Sequence, residues 1–181
     1  MNRFLLHSCC APCGVYVIEQ LQKQGYAVSV FYSNDNIYPA EEYERRKGEI
    51  EKYCQKNGIE FLEDEYKPEK WLAAVSGLES QPEGGARCAI CFKYRLNKTA
   101  KKAKELGFDA FGSTLSISPH KNSEVINRVG EEAEKEIGVT FLAIDWKENN
   151  GFRCSCEISK ANNFYRQNYC GCQFSMRIPA N

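Results

Sequence analysis

The chain has no net charge. Its 24 Lys and Arg side chains are matched by 24 Asp and Glu, and the sequence pI is about 6.7. The overall balance therefore calls for no nucleic-acid partner, and any such surface must be a local patch. A long apolar run is also missing: none reaches the roughly 20 residues that a membrane-spanning helix needs. Near the start only Phe4-Leu5-Leu6 is apolar, too short for the core of a secretory signal. A secreted disulfide scaffold is accordingly not expected, and a reducing, cytoplasmic setting is. No Gly-x-Gly-x-x-Gly and no Walker-type loop occurs, so nucleotide binding has no local support. Internal repeats and low-complexity linkers are absent too. The 181 residues suit one α/β domain, with residues 150–181 as a C-terminal segment lying near the site.

What the chain does have is cysteine, ten in all. In a reducing compartment, clustered cysteines bind metal or carry redox chemistry more often than they staple a fold. The densest cluster is Ser8-Cys9-Cys10-Ala11-Pro12-Cys13-Gly14. It follows the apolar run Arg3 to His7, which reads as a buried strand, and it precedes Val15, Val17, Ile18 and Leu21 at helical spacing. Thiols at the mouth of a helix meet its unpaired N–H groups and the positive end of its dipole, and both favour the thiolate.

Strand and helix then alternate. Residues 27–32 read as a strand, and 33–39 as a polar exit loop. Residues 40–57 read as a charged helix, 59–62 as a third strand, and a further helix opens at Pro68. Residues 77–87, rich in Gly, Ser, Pro and Gln, read as a mobile loop. A long helix runs from Cys88 to Gly107, and 109–115 form a fourth strand. Helix 124–137 and strand 139–144 follow, then a tail with a short helix ending at Cys170-Gly171-Cys172. This alternation with short connections predicts a parallel sheet with helices on both faces. Ligands in such sheets lie beyond the carboxyl ends of the strands, where Cys9 to Cys13, Asn34 to Pro39 and Thr114 to Pro119 all fall.

Cys88 and Cys91, three apart at a helix start, share one face and suit a common metal or a dithiol. With Cys9 and Cys10 they make four thiolates, the number that zinc or an iron–sulfur cluster takes. Adjacent cysteines diverge, so the several corners of a cluster are easier for them to reach than a closed zinc knot. Cys170 and Cys172 can close only a small, strained disulfide, which suits reversible redox chemistry. A second pair of metal ligands is the alternative. Cys13 reads as ligand, nucleophile or packed thiol, and Asp35 as a metal ligand or a turn cap. Cys54 reads as core, and Arg45-Arg46-Lys47 and Lys98 to Lys104 as solvated helix faces.

Five blocks carry a family resemblance. They are Cys9-Cys10-Ala11-Pro12-Cys13; Asn36-Ile37-Tyr38-Pro39 with Glu42-Tyr43 and Arg46; Cys88-x-x-Cys91-Phe92-x-x-Arg95-Leu96; Thr114-Leu115-x-x-Ser118-Pro119-x-Lys121-Asn122; and Tyr165-Arg166-Gln167-x-Tyr169-Cys170-Gly171-Cys172. In this order they resemble the cobalamin-independent epoxyqueuosine reductases, the QueH family. The resemblance implies a HUP-type Rossmann-like fold and reductive removal of the epoxide oxygen of epoxyqueuosine at the wobble position of tRNA, giving queuosine. It further implies a [4Fe-4S] cluster on Cys9, Cys10, Cys88 and Cys91, an additional iron beside it, a redox-active disulfide at Cys170 and Cys172, and an external electron donor. Cys13 and Asp35 are the candidates for that second iron or for the substrate, and Cys154 and Cys156 lie outside the pattern. Two other classes stand beside this reading. One is a cluster-free thiol–disulfide or sulfur-transfer enzyme. The other is a zinc-stabilised RNA-binding module.

Overall fold

The computed structural model describes residues 2–176. Five strands, β1 (Arg3–His7), β2 (Ala27–Tyr32), β3 (Glu60–Glu63), β4 (Ala110–Ser113) and β5 (Thr140–Phe141), form one parallel sheet in the order β3-β2-β1-β4-β5. β1 is central and covered on both sides, which is why Phe4, Leu5 and Leu6 are fully buried and its sequence is a continuous apolar run. Alternate residues serve opposite faces. Phe4, Leu6, Val28 and Val30 pack on one side with residues of α1 (Ala11–Lys23) and α2 (Ala40–Lys56). Leu5, Phe31 and Phe111 pack on the other, with α4 (Ala86–Glu105) and α5 (Ser123–Ile137). The short α3 (Pro68–Ala74) buries Trp71, and α6 (Gly151–Ala161) lies against α1.

From β1 the chain runs outward to β2 and β3, then returns to place β4 on the other flank of β1. The carboxyl ends of β1 and β4 therefore bound the point where strand order reverses, the place where open α/β sheets bind ligands.

The structure corrects three expectations. β5 spans two residues, not 139–144. After Leu142 N–H bonds the Phe111 carbonyl, Ser116 Oγ takes the Ile144 carbonyl and Trp146 Nε1 donates to the Ser113 carbonyl, so side-chain bonds replace the ladder. The last helix is α6, carrying Cys154 and Cys156. It ends before Asn163, whose φ of 53° is left-handed, and Cys170-Gly171-Cys172 lies beyond it in an irregular segment. The segment 77–87 is not a free loop either. The buried Arg87 donates from Nη1 to the carbonyls of Leu78, Glu79 and Gln81, which ties the segment to the start of α4.

Candidate metal and redox site

The turn from β1 into α1 sets the first group of thiols. Cys10 is the N-cap of α1 in extended conformation, yet its side chain makes no cap hydrogen bond, so the thiol is left to face the site. Pro12 stands in the first turn, where its missing N–H costs nothing. Gly14 is required by space: a Cβ there would lie 2.7 Å from Ser8 Oγ. The result is that the Sγ atoms of Cys9, Cys10 and Cys13 all lie within 4.8 Å of one another, with Cys9 and Cys10 at 3.8 Å. Among the described residues this is the group of three potential ligands that closes so tightly. Gln167 Nε2 donates to Cys10 Sγ at 3.3 Å.

These three thiols behave as a unit. Hydrogen bonds from Cys10 and Cys13 hold the Cys9 thiol well below its ordinary range, against burial and with help from the Arg95 charge. For Cys10 the Cys13 hydrogen bond acts downward, but the bond to Cys9 and burial outweigh it, and the value is pushed up to about 12. Cys13 is pushed up by its bonds to Cys10 and Cys9 and by burial. The three close sulfurs thus favour the thiolate at Cys9 and form a donor set suited to a thiophilic metal.

A second group of thiols lines a cavity of about 290 Å³: Cys88 and Cys91 from the start of α4, with Cys170 and Cys172 from the C-terminal segment. Cys88 Sγ accepts from the Gly84 N–H at 3.2 Å, and Cys91 packs with Cys172, Trp71 and Val75. Burial pushes both Cys88 and Cys91 up. Cys170 and Cys172 are free thiols with sulfurs 3.8 Å apart. The hydrogen bond between the two sulfurs holds Cys170 well below the usual thiol range, against burial and with help from the Lys121 charge, while Cys172 is pushed up by the same bond and by burial.

Two cations stand between the groups. The buried Arg95 lines the cavity, and its charge favours the thiolate at both Cys9 and Cys91. Arg95 Nη2 donates to Asn34 Oδ1 at 2.6 Å and Nε to His7 Nε2 at 3.3 Å. Lys121 lines the same cavity. Burial works against its charge, and the sulfurs of Cys9, Cys170 and Cys13 more than offset this, so its pKa is raised.

Asp35 lies outside both thiol groups. Its Oδ1 accepts from the Lys67 N–H at 2.8 Å, and its Oδ2 from Tyr94 Oη at 2.7 Å and Lys98 Nζ at 2.8 Å. Three donors already engage this buried carboxylate, which can accept about four. Phe92 is buried at the cavity wall, and Tyr38 is exposed.

His7 supplies a pH prediction. His7 Nδ1 lies 2.9 Å from Ser113 Oγ, and Nε2 lies 3.2 Å from the Ser33 carbonyl and 3.3 Å from Arg95 Nε. Burial, and then the Arg95 charge, lower its pKa from 6.5 to about 3. The folded ring stays neutral where the unfolded ring protonates. This stability is therefore complete above pH 6.5 and drains as the pH falls toward 3, by up to about 1.4 kcal/mol per pH unit. Urea titrations from about pH 7 to about pH 5 should show the slope in wild type and lose it in His7→Gln. A flat wild-type profile would contradict the assignment.

With this geometry in place, the comparisons decide the family. The sequence profile described as Epoxyqueuosine reductase QueH matches residues 4–178. The chain belongs to that family. A relative from Streptococcus pyogenes serotype M1, named epoxyqueuosine reductase QueH, is 46% identical over 180 residues, covering 96% of this chain and 70% of the relative. QueH from Acinetobacter baylyi is 41% identical over 97% of this chain and 81% of its own length. QueH from Thermotoga maritima is 34% identical over 97% and 91%. The chain is thus an oxidoreductase, an epoxyqueuosine reductase of queuosine biosynthesis.

Solved structures agree on the fold of this QueH chain. A Methanocaldococcus jannaschii protein titled a predicted subunit of tRNA methyltransferase superposes with a TM-score of 0.61 at 11% identity, over 87% of this chain and 75% of its own. The U34-tRNA thiolase NcsA from Methanococcus maripaludis, solved with its [4Fe-4S] cluster, gives 0.56 at 10% identity, over 97% and 61%. The fold is Rossmann-like, of the HUP type. The residues that sequence reasoning passed over in this QueH site are the buried Arg46 and Arg87, read as a solvated face and as part of a loop.

Proposed function

We propose that this QueH chain removes the epoxide oxygen of epoxyqueuosine at the wobble position of tRNA. Electrons would enter from an external donor by way of a [4Fe-4S] cluster held by Cys9, Cys10, Cys88 and Cys91. The observation that carries this reading is the close group of Cys9, Cys10 and the half-buried Cys13 at the carboxyl end of the central strand, with Arg95 and Lys121 linking it to a separate cavity walled by four more thiols. Its donor set is all sulfur, with Cys9 and Cys10 buried and the Cys9 thiolate favoured, which suits iron–sulfur ligation. When bound, such a cluster supplies electrons one at a time, and a neighbouring iron supplies Lewis acidity. Cys13 is the stronger candidate to hold that additional iron, because the Asp35 oxygens are committed to three donors.

The reaction balances as follows. Both carbon–oxygen bonds of the epoxide break, two electrons form the carbon–carbon double bond, and two protons leave with the oxygen as water. Oxidation of the Cys170 and Cys172 thiols to their disulfide releases the same two electrons and two protons, so this pair can serve as the relay that the external donor recharges. Arg95 and Lys121 hold positive charge beside the sulfurs throughout. No described helix is long and apolar enough to cross a membrane, and tRNA as substrate places the enzyme in the cytoplasm. Residues 150–176 act as a C-terminal segment of the same domain, and residues 177–181 lie outside the described residues.

Iron and sulfide analysis of anaerobically prepared protein tests the cofactor. The protein should be brown, and Cys13→Ala should lose about one iron per chain while its sulfide is unchanged. Iron unchanged in that variant would remove Cys13 from the second site. Colourless protein with stoichiometric zinc would point instead to the RNA-binding module, and colourless, metal-free protein to a cluster-free thiol enzyme.

A further inference from the structure

A second cavity, of about 330 Å³, lies on the other side of Lys121 and Cys170 from the cavity with the four thiols. It is framed by the N-terminus of α1 at Cys13, the turn Ser118 to Lys121, the start of α6 at Phe152, and the segment carrying Gln167. Its volume falls within the roughly 300–1,000 Å³ of small-molecule sites. Cys13 and Cys170 give it one redox-active wall, and the remaining walls are chiefly polar.

Among its polar side chains, Lys121 and Gln167 offer complementary free atoms. Lys121 makes no ion pair, and its Nζ makes no hydrogen bond among the described residues, although it lies between the two cavities. Gln167 is held through Nε2 on Cys10, and its Oε1 is buried with no hydrogen-bond partner. A native fold rarely leaves a buried amide oxygen such as Gln167 Oε1 unpaired without a use for it. The needs are complementary: Lys121 can only donate, and Gln167 Oε1 can only accept. A ligand that satisfies both must offer an oxygen acceptor and a hydroxyl or amine donor on one small body. The hydroxyl-bearing epoxide ring of the substrate has that description. At the cavity's rim Phe152 is 37% exposed, a flat apolar surface on which a displaced base can stack.

We propose that this second cavity holds the epoxide-bearing ring of the tRNA base, with Lys121 donating to the epoxide oxygen, Gln167 accepting from a ring hydroxyl and Phe152 stacking on the base. This rests on the reductase reading above and specifies where the substrate sits. The four-thiol cavity on the far side of Cys170 is left to the metal and dithiol chemistry.

The test is steady-state kinetics with an epoxyqueuosine-containing tRNA, using cluster-loaded protein, an artificial low-potential electron donor and iron analysis of every variant. Phe152→Ala should raise KM roughly tenfold with iron content and kcat unchanged, as loss of one stacked base predicts. Gln167→Met should raise KM to a similar degree. Lys121→Met should lower kcat roughly a hundredfold at normal iron content, with Lys121→Arg, which keeps a donor, restoring part of it. Wild type that converts the tRNA while Phe152→Ala and Gln167→Met keep its KM would overturn the pocket and leave the reductase reading standing. Should Gln167→Met fail to load iron because it touches Cys10, Phe152→Ala decides. Loaded wild-type protein that leaves the tRNA unchanged would overturn the reading and the pocket together.

Discussion

Cys10→Ala is expected to strip the metal and to lower epoxide reduction by a hundredfold or more. The reasoning begins with the turn. Cys10 caps α1 without using its side chain as a cap, so its replacement by alanine costs the helix little. What it removes is the sulfur that joins Cys9, 3.8 Å away, to Cys13 and Gln167. Groups that merely support a metal ligand already cost about 10- to 100-fold in affinity or activity when lost, and a ligand itself must cost at least that. Cys54→Ala is the contrast. Cys54 is fully buried in the core of α2 and outside both thiol groups. Its loss should cost about 1 kcal/mol of stability and leave iron and turnover alone. Iron retained in Cys10→Ala, or lost in Cys54→Ala, would place the metal elsewhere.

The second large effect is expected from Arg46→Met. Arg46 is 1% exposed, and its Nε donates to Glu42 Oε1 at 2.6 Å. Nη1 donates to the Cys170 carbonyl at 3.1 Å and Nη2 to the Tyr169 carbonyl at 3.4 Å. Gly171, between the two cysteines, has φ of +124°, a conformation that side chains rarely adopt, and a Cβ on it would lie 3.0 Å from Arg46 Nη1. Its carbonyl accepts from the Tyr38 N–H at 2.8 Å. The C-terminal thiols are therefore held in place largely by one guanidinium and one backbone amide. Methionine fills similar volume but leaves the Glu42 carboxylate at low exposure with only the Tyr165 hydroxyl as a side-chain donor, and two carbonyls without the guanidinium. Breaking a buried pair in this way costs about 3–5 kcal/mol. Denaturant titration should show that loss, and turnover should fall at least tenfold at temperatures where the variant remains folded. Wild-type turnover in a destabilised Arg46→Met would separate the clamp from the chemistry.

The history of Arg46 shows what the sequence could and could not tell. The tripeptide Arg45-Arg46-Lys47 looks like a charged helix face. Yet Tyr43, Arg46, Ile50 and Cys54 recur on the buried stripe of α2, and helical periodicity puts Arg46 among them. The residue type masked the position. Arg95 presents the same case, lying among Phe92, Leu96 and Thr99 on the buried face of α4. Buried arginines like these need carbonyls or carboxylates brought from distant segments, and such partners have no local signature. Lys98 likewise reads as a solvated face but pairs with Asp35 and Asp64. By contrast, the place of the turn Ser8 to Gly14 was legible. An apolar strand before it and a proline in the first helical turn are local determinants, and they put the turn at the strand's carboxyl end. The length of β5 was not legible, because bonds from Ser116 and Trp146 end it. Nor could spacing reveal that Cys13 closes with Cys9 and Cys10, or that Cys170 and Cys172 share a cavity with Cys88 and Cys91.

One measurement bears on the whole account more directly than any other. Cluster-loaded protein and its Cys88→Ser variant are incubated without oxygen with epoxyqueuosine-containing tRNA and a low-potential reductant, and the modified nucleoside is then weighed by mass spectrometry. Wild type should return a nucleoside lighter by one oxygen atom, and Cys88→Ser should return it unchanged. Equal conversion by the two proteins, or none by the loaded wild type, would contradict it.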